Sequence, residues 1–257
     1  MDLCERHNID YLKTENINSQ EFINEISKYC CDLFVSMSFN QIFKDEIINL
    51  TKYKIINCHA GKLPFYRGRN VLNWVLINDE KEFGITVHYV DKGIDTGDII
   101  LQGTYPISME DDYSTLLELS YVECANILYD AICLFKFGPV FGKKQEEIHP
   151  NGFYCSKRRS GDENLNWDDT SKNIFNFVRA ICKPGPKART FVNGGEILIN
   201  KVELIDNSLS YKCIPGAILS IDKTKLGILV KTRDSYIKII EYEGDVKFKV
   251  GDRFEVK

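Results

Sequence analysis

The stretch IINCHAGKLPFYRGRNVLNW, residues 55–74, decides the fold class of this 257-residue chain. It begins as an apolar strand and ends as an apolar helix, with polar residues between them. Side chains two positions apart on a strand share a face, so Asn57 and His59 point one way and Cys58 the other. Open α/β sheets bind their ligands beyond the carboxyl ends of parallel strands. The stretch therefore predicts an amide and an imidazole side by side at a binding crevice.

The segments around this stretch alternate between strand and helix patterns. The apolar run DLFVSMS, residues 32–38, is typical of a buried parallel strand. Other strands are predicted at residues 8–14, 83–90 and 98–107, and helices at residues 19–29, 44–50, 70–78 and 114–137. This alternation predicts an α/β domain over residues 1–150. Such domains begin with a strand, whereas this chain opens with the helix-like DLCERHN, so we expect the first βαβ unit to be missing.

The remainder of the chain has a different pattern. Residues 151–164 are rich in turn-forming residues and are predicted to be a linker. A helix is predicted at residues 171–182, and the hydrophobic period then falls to two, as in GEILINKVELI and SYIKIIEYE. Short strands at this spacing predict a small β-barrel-like domain over residues 165–257.

Composition narrows the class of protein. The net charge of −4 gives no overall field that would attract nucleic acid or an anionic membrane. The nine cysteines include no CxxC pair and lie mostly in apolar runs, which favours free thiols over disulfides or a metal site. No apolar run approaches the length of a membrane span. We therefore predict a cytoplasmic protein with no membrane partner and no metal.

The chemistry predicted for Asn57 and His59 is acyl transfer. An amide can donate a hydrogen bond to a developing oxyanion, and an imidazole can accept a proton beside it. A carboxylate that orients His59 is expected from the glycine-rich loop VDKGIDTGDII, which offers Asp91, Asp95 and Asp98. No serine or cysteine lies in an elbow motif, so we expect the substrate itself to attack.

The order NCHAGKLPFYRG, helix, strand and DKGIDTGDII resembles that of the formyltransferases that use 10-formyltetrahydrofolate. This family includes methionyl-tRNA formyltransferase, glycinamide ribonucleotide formyltransferase and the nucleotide-sugar N-formyltransferases. The resemblance implies a Rossmann-like parallel sheet with Asn57, His59 and Asp95 as catalytic residues, followed by a barrel-like C-terminal domain. Family members usually begin with a further strand, helix and strand, which agrees with the expected missing unit.

The resemblance also implies where the co-substrate binds. The segment SMSFNQIF, residues 36–43, is similar to the folate-binding loop of the family. Together with the loop before residue 98 it is expected to hold 10-formyltetrahydrofolate, through apolar walls and backbone hydrogen bonds. The residues implied are Met37, Ser38, Phe39, Asn40, Ile42, Gly93, Ile94 and Gly97.

For the acceptor, YRGRNVLNWVLIND is more similar to the sugar N-formyltransferases than to the tRNA enzymes. A nucleotide sugar carries two phosphates, which Lys and Arg side chains bind well. The acceptor residues implied are Lys62, Tyr66, Arg67, Arg69 and Asn70. We therefore predict formylation of a nucleotide-linked 4-amino-4,6-dideoxyhexose that serves a surface glycan, with small molecules and not nucleic acid as partners, in a monomer or homodimer.

Two alternatives remain open at this point. Methionyl-tRNA formyltransferase is favoured by the two-domain architecture and by the basic C-terminal part, where residues 157–257 carry 19 Lys and Arg against 14 Asp and Glu. A non-catalytic folate- or nucleotide-binding module is favoured by the expected loss of the first βαβ unit, although the three catalytic residue types are intact.

Overall fold

The computed structural model describes residues 2–222 and 227–255. The helices in these ranges are α1 (Asp2–Arg6), α2 (Gln20–Ser27), α3 (Asp45–Ile48), α4 (Val71–Ile77), α5 (Tyr113–Leu134) and α6 (Ser171–Ile181). The strands are β1 (Phe34–Met37), β2 (Ile55–His59), β3 (Arg67–Gly68), β4 (Glu82–Tyr89), β5 (Ile99–Pro106), β6 (Tyr154–Cys155), β7 (Ala188–Val192), β8 (Gly195–Leu204), β9 (Ile218–Asp222), β10 (Gly227–Lys231) and β11 (Tyr236–Glu243). Two 3₁₀ turns follow α5, at Phe135–Phe137 and Gln145–Glu147.

The first sheet has the strand order β1-β2-β4-β5, which confirms the predicted α/β class. β1 and β2 run parallel, as expected from the apolar run at residues 32–38. β4 runs antiparallel to β2, and β5 runs antiparallel to β4. The sheet is therefore mixed: its first two strands are parallel, and β4 and β5 join it as an antiparallel hairpin whose first strand runs opposite to β2.

Helices α4 and α5 pack on this sheet and bury its central residues. Ile56 of β2 and Ile85 and Val87 of β4 are fully buried in one apolar cluster with Leu76 and Leu116 of the two helices. Complete burial of each such side chain stabilises the fold by about 1.5–3 kcal/mol. The position of β2, and of the polar residues at its end, is therefore held by the core.

Residues 8–14 form no strand, so that prediction was wrong. Ile9, Tyr11 and Leu12 are exposed. Within the described ranges β1 is an edge strand that pairs only with β2. A strand needs a neighbouring strand to pair its backbone hydrogen bonds, and residues 8–14 have none among the described strands. The alternating sequence pattern does not reveal whether such a neighbour exists.

The second sheet has the order β7-β8-β11-β10-β9, and all of its neighbouring strands run antiparallel. Its two edges are joined by the C-terminal segment: Phe191 of β7 exchanges backbone hydrogen bonds with Glu255, and the Ile218 N–H of β9 donates to the Asp252 carbonyl. The sheet therefore curls round on itself, in agreement with the predicted barrel-like architecture. The sequence pattern had not revealed β7.

Helix α6 connects the two sheets because it packs on α4 and on β8. The Asn73 side chain of α4 donates to the Ala180 carbonyl of α6 at 2.6 Å, and both residues are buried. Arg179 donates to the Ser108 carbonyl at 2.9 Å and lies 3.5 Å from Asp79. No helix in the described part of the chain is long and apolar enough to cross a membrane.

Candidate active site

A cavity of about 650 Å³ opens at the carboxyl ends of β1 and β2. Its walls come from the segment after β1, the end of β2, the loop after β4 and the residues that precede α4. Asn57, His59, His88 and Asp95 all line it. The structure thus brings the three predicted catalytic residues together, with a second histidine that had not been predicted.

His59 has one ring nitrogen bound and one directed at a carboxylate. Its Nε2 lies 2.7 Å from the Tyr66 carbonyl, which can only accept, so Nε2 carries a hydrogen. Its Nδ1 lies 3.6 Å from Asp95 Oδ2. Burial lowers the pKa of His59, and the charge of Asp95 offsets this only in part. The ring is therefore mainly neutral near pH 7, with its lone pair on Nδ1.

Asp95 is held in its ionised form. Burial alone would raise the pKa of this carboxyl, but the two histidines and the Gly68 N–H, which donates to Oδ2 at 2.8 Å, together hold it below the usual value. The backbone of Asp95 is left-handed, with a φ of 54°. A proton taken up by His59 Nδ1 would therefore arrive beside a fixed negative charge.

His88 links Asn57 to Asp95. Its Nδ1 lies 2.7 Å from the Tyr89 carbonyl and donates there, so Nε2 accepts in the tautomer with one hydrogen and donates when the ring carries two. Nε2 lies 3.2 Å from Asn57 Nδ2 and 3.6 Å from Asp95 Oδ1. In the first of these states one Asn57 N–H donates to His88 Nε2, and no other protein acceptor for this amide occurs in the described ranges. The second N–H is available to a ligand.

Gln145 supports the Asp95 loop from the far side, and the sequence had not identified it. Its Nε2 donates to the carbonyls of Asp95 at 2.9 Å and Gly97 at 2.8 Å. Its Oε1 accepts from Arg67 Nε at 3.1 Å and Arg67 Nη2 at 2.6 Å. Gln145 is buried, so it ties the loop to β3 through hydrogen bonds shielded from water.

The predicted folate-binding residues divide into two groups. Six line the cavity: Ser38, Phe39, Asn40, Ile42, Gly93 and Ile94. Met37 does not, because alternation along β1 turns its side chain away from the face of Ser36 and Ser38. Gly97 does not line it either: a Cβ at this position would lie 1.8 Å from the Tyr89 carbonyl oxygen, so the glycine permits a close backbone crossing.

The predicted acceptor residues divide in the same way. Arg69 and Asn70 line the cavity, whereas the other three are engaged elsewhere. Lys62 forms an ion pair with Glu82, and the Tyr66 hydroxyl donates to Glu80 at 2.5 Å. Arg67 is bound to Gln145. The predicted cluster of three phosphate-binding cations is therefore not assembled.

Lys157, which had not been predicted, also lines the cavity. It is brought there because β6 pairs with β3 in the register Arg67 to Tyr154 and Gly68 to Cys155. This pairing carries the predicted linker back across the front of the site. Arg69 and Lys157 are thus two cations on the wall of one cavity.

A second cavity, of about 270 Å³, adjoins the first at His59, Gly68 and Asn70. Its remaining walls include Leu72 of α4 and Tyr113 of α5, and its lining contains no Lys or Arg. His59 therefore stands between a large chamber with cations and a small neutral one.

Cys58 faces away from this chemistry, as the strand alternation predicts. It is buried, and its thiol lies 3.7 Å from the Cys124 carbonyl of α5. The contact with Cys124 and burial raise the pKa of the Cys58 thiol. Among the described residues there is no group of three or more His, Cys, Asp or Glu side chains that could hold a metal ion.

Comparison with known proteins agrees with this geometry. The family model for formyl transferase matches residues 2–132, and that for the formyl transferase C-terminal domain matches residues 158–250. The methionyl-tRNA formyltransferase of Caldanaerobacter subterraneus is 30% identical over 98% of this chain and 79% of its own length. The methionyl-tRNA formyltransferase of Fusobacterium nucleatum is 33% identical, and that match covers 91% of this chain and 74% of the relative.

Among solved structures, an N-formyltransferase from Helicobacter canadensis in complex with folinic acid and dTDP-3-aminofucose has a TM-score of 0.69. It is 22% identical, and the match covers 94% of this chain and 82% of that one. At this level of identity, the match shows that the two proteins share a fold.

The chain belongs to the formyltransferase family. The predicted enzyme class, a formyltransferase, and its predicted co-substrate, a formyltetrahydrofolate, are thereby confirmed.

Proposed function

We propose that this enzyme transfers the formyl group of 10-formyltetrahydrofolate to the primary amine of a nucleotide-linked amino sugar. The observation that carries the proposal is the convergence of Asn57, His59 and Asp95 at one end of a cavity that also presents Arg69 and Lys157. The first three residues suit the acyl-transfer step, and the two cations suit an acceptor with two phosphates.

The folate lies along the segment after β1 and the loop after β4. Phe39, Ile42 and Ile94 are exposed apolar side chains that line this part of the cavity. Apolar walls with a few polar groups are typical of sites that bind planar ring systems. In this arrangement the formyl group reaches the end of β2.

The reaction begins with attack of the neutral amine nitrogen on the formyl carbon. A new C–N bond forms, and the carbonyl electron pair moves to oxygen. The free N–H of Asn57 donates to this oxyanion, and the bond from Asn57 to His88 keeps the amide in the required orientation. The amine loses a proton to Nδ1 of His59, and Asp95 stabilises the resulting imidazolium.

Collapse of the intermediate completes the transfer. The bond between the formyl carbon and N10 of the folate breaks, and the proton held by His59 passes to that nitrogen. The products are a formamido sugar and tetrahydrofolate. No covalent enzyme intermediate is formed, because the acceptor is itself the nucleophile.

The acceptor spans both cavities. Its phosphates lie against Arg69 and Lys157, and its amino sugar reaches towards the neutral chamber beside His59, where Leu72 and Tyr113 offer an apolar wall. A 4-amino-4,6-dideoxyhexose has a methyl group that suits such a wall. The Helicobacter canadensis protein, which shares the fold, was solved with a nucleotide-linked amino sugar.

Methionyl-tRNA is the second candidate acceptor, because the relatives that are 30–33% identical carry the name methionyl-tRNA formyltransferase. A protein surface that binds tRNA requires a stripe of Lys and Arg side chains that are not neutralised by nearby carboxylates. Many cations of the basic C-terminal part are instead neutralised by ion pairs, and these are Lys172, Arg179, Lys183, Lys187, Arg189, Arg233 and Lys238. This pairing weighs against tRNA.

The proposal is tested by mass spectrometry of single-acceptor reactions with 10-formyltetrahydrofolate. One set contains nucleotide-linked 3-amino and 4-amino sugars, and the other contains methionyl-tRNA. We expect formylation of an amino sugar, with the rate reduced by about 10²-fold or more in His59→Ala. If methionyl-tRNA alone is formylated, it is the acceptor and the amino-sugar proposal is wrong. If no acceptor is formylated, the chain is better described as a non-catalytic binding module.

A further inference from the structure

One face of α5 lies open to solvent and is apolar along most of its length. Four residues of the helix are buried against the rest of the protein: Leu116, Ser120, Cys124 and Ala131. On the opposite side, Val122 is 58% exposed and Tyr129 is 64% exposed. A large exposed aromatic residue and a valine on one helix face are unusual for a surface that meets only water.

These exposed residues follow a heptad spacing. The positions Glu118, Val122, Ala125, Tyr129, Ile132 and Lys136 recur at alternating intervals of four and three residues, and we call them the α5 stripe. Ile132 is half-buried, and the other five are exposed. Alternating intervals of this kind place residues on a single seam, as in helices that pair with another helix. Lys136 lies in the 3₁₀ turn that continues α5.

The α5 stripe is complementary to itself when reversed. In an antiparallel pair centred between Ala125 and Tyr129, Glu118 of one copy meets Lys136 of the other. Val122 meets Ile132, and the small Ala125 meets the large Tyr129. Neither Glu118 nor Lys136 forms an ion pair with another residue in the described ranges. The charges at the ends of the stripe and the sizes of the side chains between them are therefore complementary across a two-fold axis.

We propose that two copies of this chain form a homodimer through the α5 stripe, with the two α5 helices antiparallel. The two-fold axis repeats each contact, so the Glu118 to Lys136 pair occurs at both ends of the seam. A standard interface buries about 800 Å² on each partner. The stripe and the exposed Tyr121 that flanks it supply the central part of such an area.

The dimer is tested by sedimentation velocity at about 50 µM, a concentration at which an interface of standard size is occupied. We expect twice the chain mass for the wild-type protein. Glu118→Lys and Lys136→Glu should each raise the dissociation constant roughly tenfold or more, because each places like charges together at both ends. The double variant, E118K with K136E, should restore the wild-type value.

Asp130→Lys is the matched control. It changes a charge of the same sign on the same helix, but residue 130 lies about 100° round the helix from Tyr129. Its dissociation constant should equal that of the wild-type protein. Circular dichroism verifies that each variant is folded. A monomeric wild-type protein would overturn the proposal, as would a dimer that both single variants leave unchanged or a double variant that does not recover.

Discussion

Asn57 Nδ2 lies 3.2 Å from His88 Nε2, and this contact determines how the Asn57 amide is oriented. Because His88 Nδ1 donates to the Tyr89 carbonyl, Nε2 is left to accept from Asn57 in the tautomer with a single hydrogen. This tautomer agrees with the orientation of the Asn57 amide, whose nitrogen faces His88 Nε2. The same amide group then presents its remaining N–H to the cavity, where an oxyanion would form.

His88→Ala should lower kcat by about tenfold or more, because the Asn57 amide loses the acceptor that orients it. Asn57→Ala, which removes the donor itself, should cost roughly 10² to 10³ in kcat. The matched variant is His88→Gln, whose side-chain oxygen can accept from Asn57 and should recover part of the rate. Steady-state kinetics on the accepted amino sugar measure all three. Equal losses in His88→Ala and His88→Gln would show that orientation of Asn57 is not the role of His88.

The pKa of His59 should lie below its ordinary value of 6.5, because burial disfavours the imidazolium more than Asp95 favours it. Asp95→Asn removes the favourable charge, so the pKa should fall further, and kcat should drop by about 10²-fold or more. NMR titration of the histidine ring signals measures the pKa, with His59→Ala for assignment. A pKa that rises in Asp95→Asn would contradict this electrostatic account.

Arg69→Ala and Lys157→Ala should each raise KM for the nucleotide-linked sugar by tenfold or more, since each removes a charge-assisted contact of about 1.5–3 kcal/mol. kcat should change less, because a phosphate contact is the same in the ground and transition states. Lys62→Ala is the control, since its ion pair with Glu82 lies outside the cavity. An unchanged KM in both cavity variants would remove the phosphate-binding role.

Gln145→Glu separates the two halves of the Gln145 contact. A carboxylate still accepts from Arg67, but it cannot donate to the carbonyls of Asp95 and Gly97. Gln145→Leu removes both sets of bonds. We expect kcat to fall in both variants as the Asp95 loop loosens, and the free energy of unfolding to fall by about 1–3 kcal/mol for each buried group left unpaired. If Gln145→Glu keeps the wild-type kcat, contacts other than those of Gln145 hold the Asp95 loop in place.

Local pattern was sufficient to predict the end of β2 and the Asp95 loop. Alternation in a strand separates Asn57 and His59 from Cys58, and the glycines around Asp95 indicate a tight turn between two strands. These features depend on residues that are neighbours in sequence. The order of the elements then brings the two segments to the same edge of the sheet.

The remaining site residues depend on pairing between distant segments. His88 reads as one more position in the apolar strand FGITVHYV, and only the register that sets it opposite Asn57 reveals its contact. Gln145 and Lys157 lie in segments with turn-like composition. Lys157 reaches the site because β6 pairs with β3, and Gln145 does so because Lys143 forms a bridge with Ile99 of β5. Lys62 and Arg67 are close to His59 in sequence, yet each has a nearer partner in the fold.

The orientation of Cys58 has a consequence for chemical labelling. A thiol stands between the oxyanion donor and the proposed base, yet it is buried against α5 and has a raised pKa. Thiol reagents attack the thiolate, so a brief maleimide pulse should modify the exposed Cys30, Cys31 and Cys213 and leave Cys58 unreacted in an active enzyme. Under increasing denaturant, the appearance of modified Cys58 in a peptide digest would then report the opening of the strand that carries the active site.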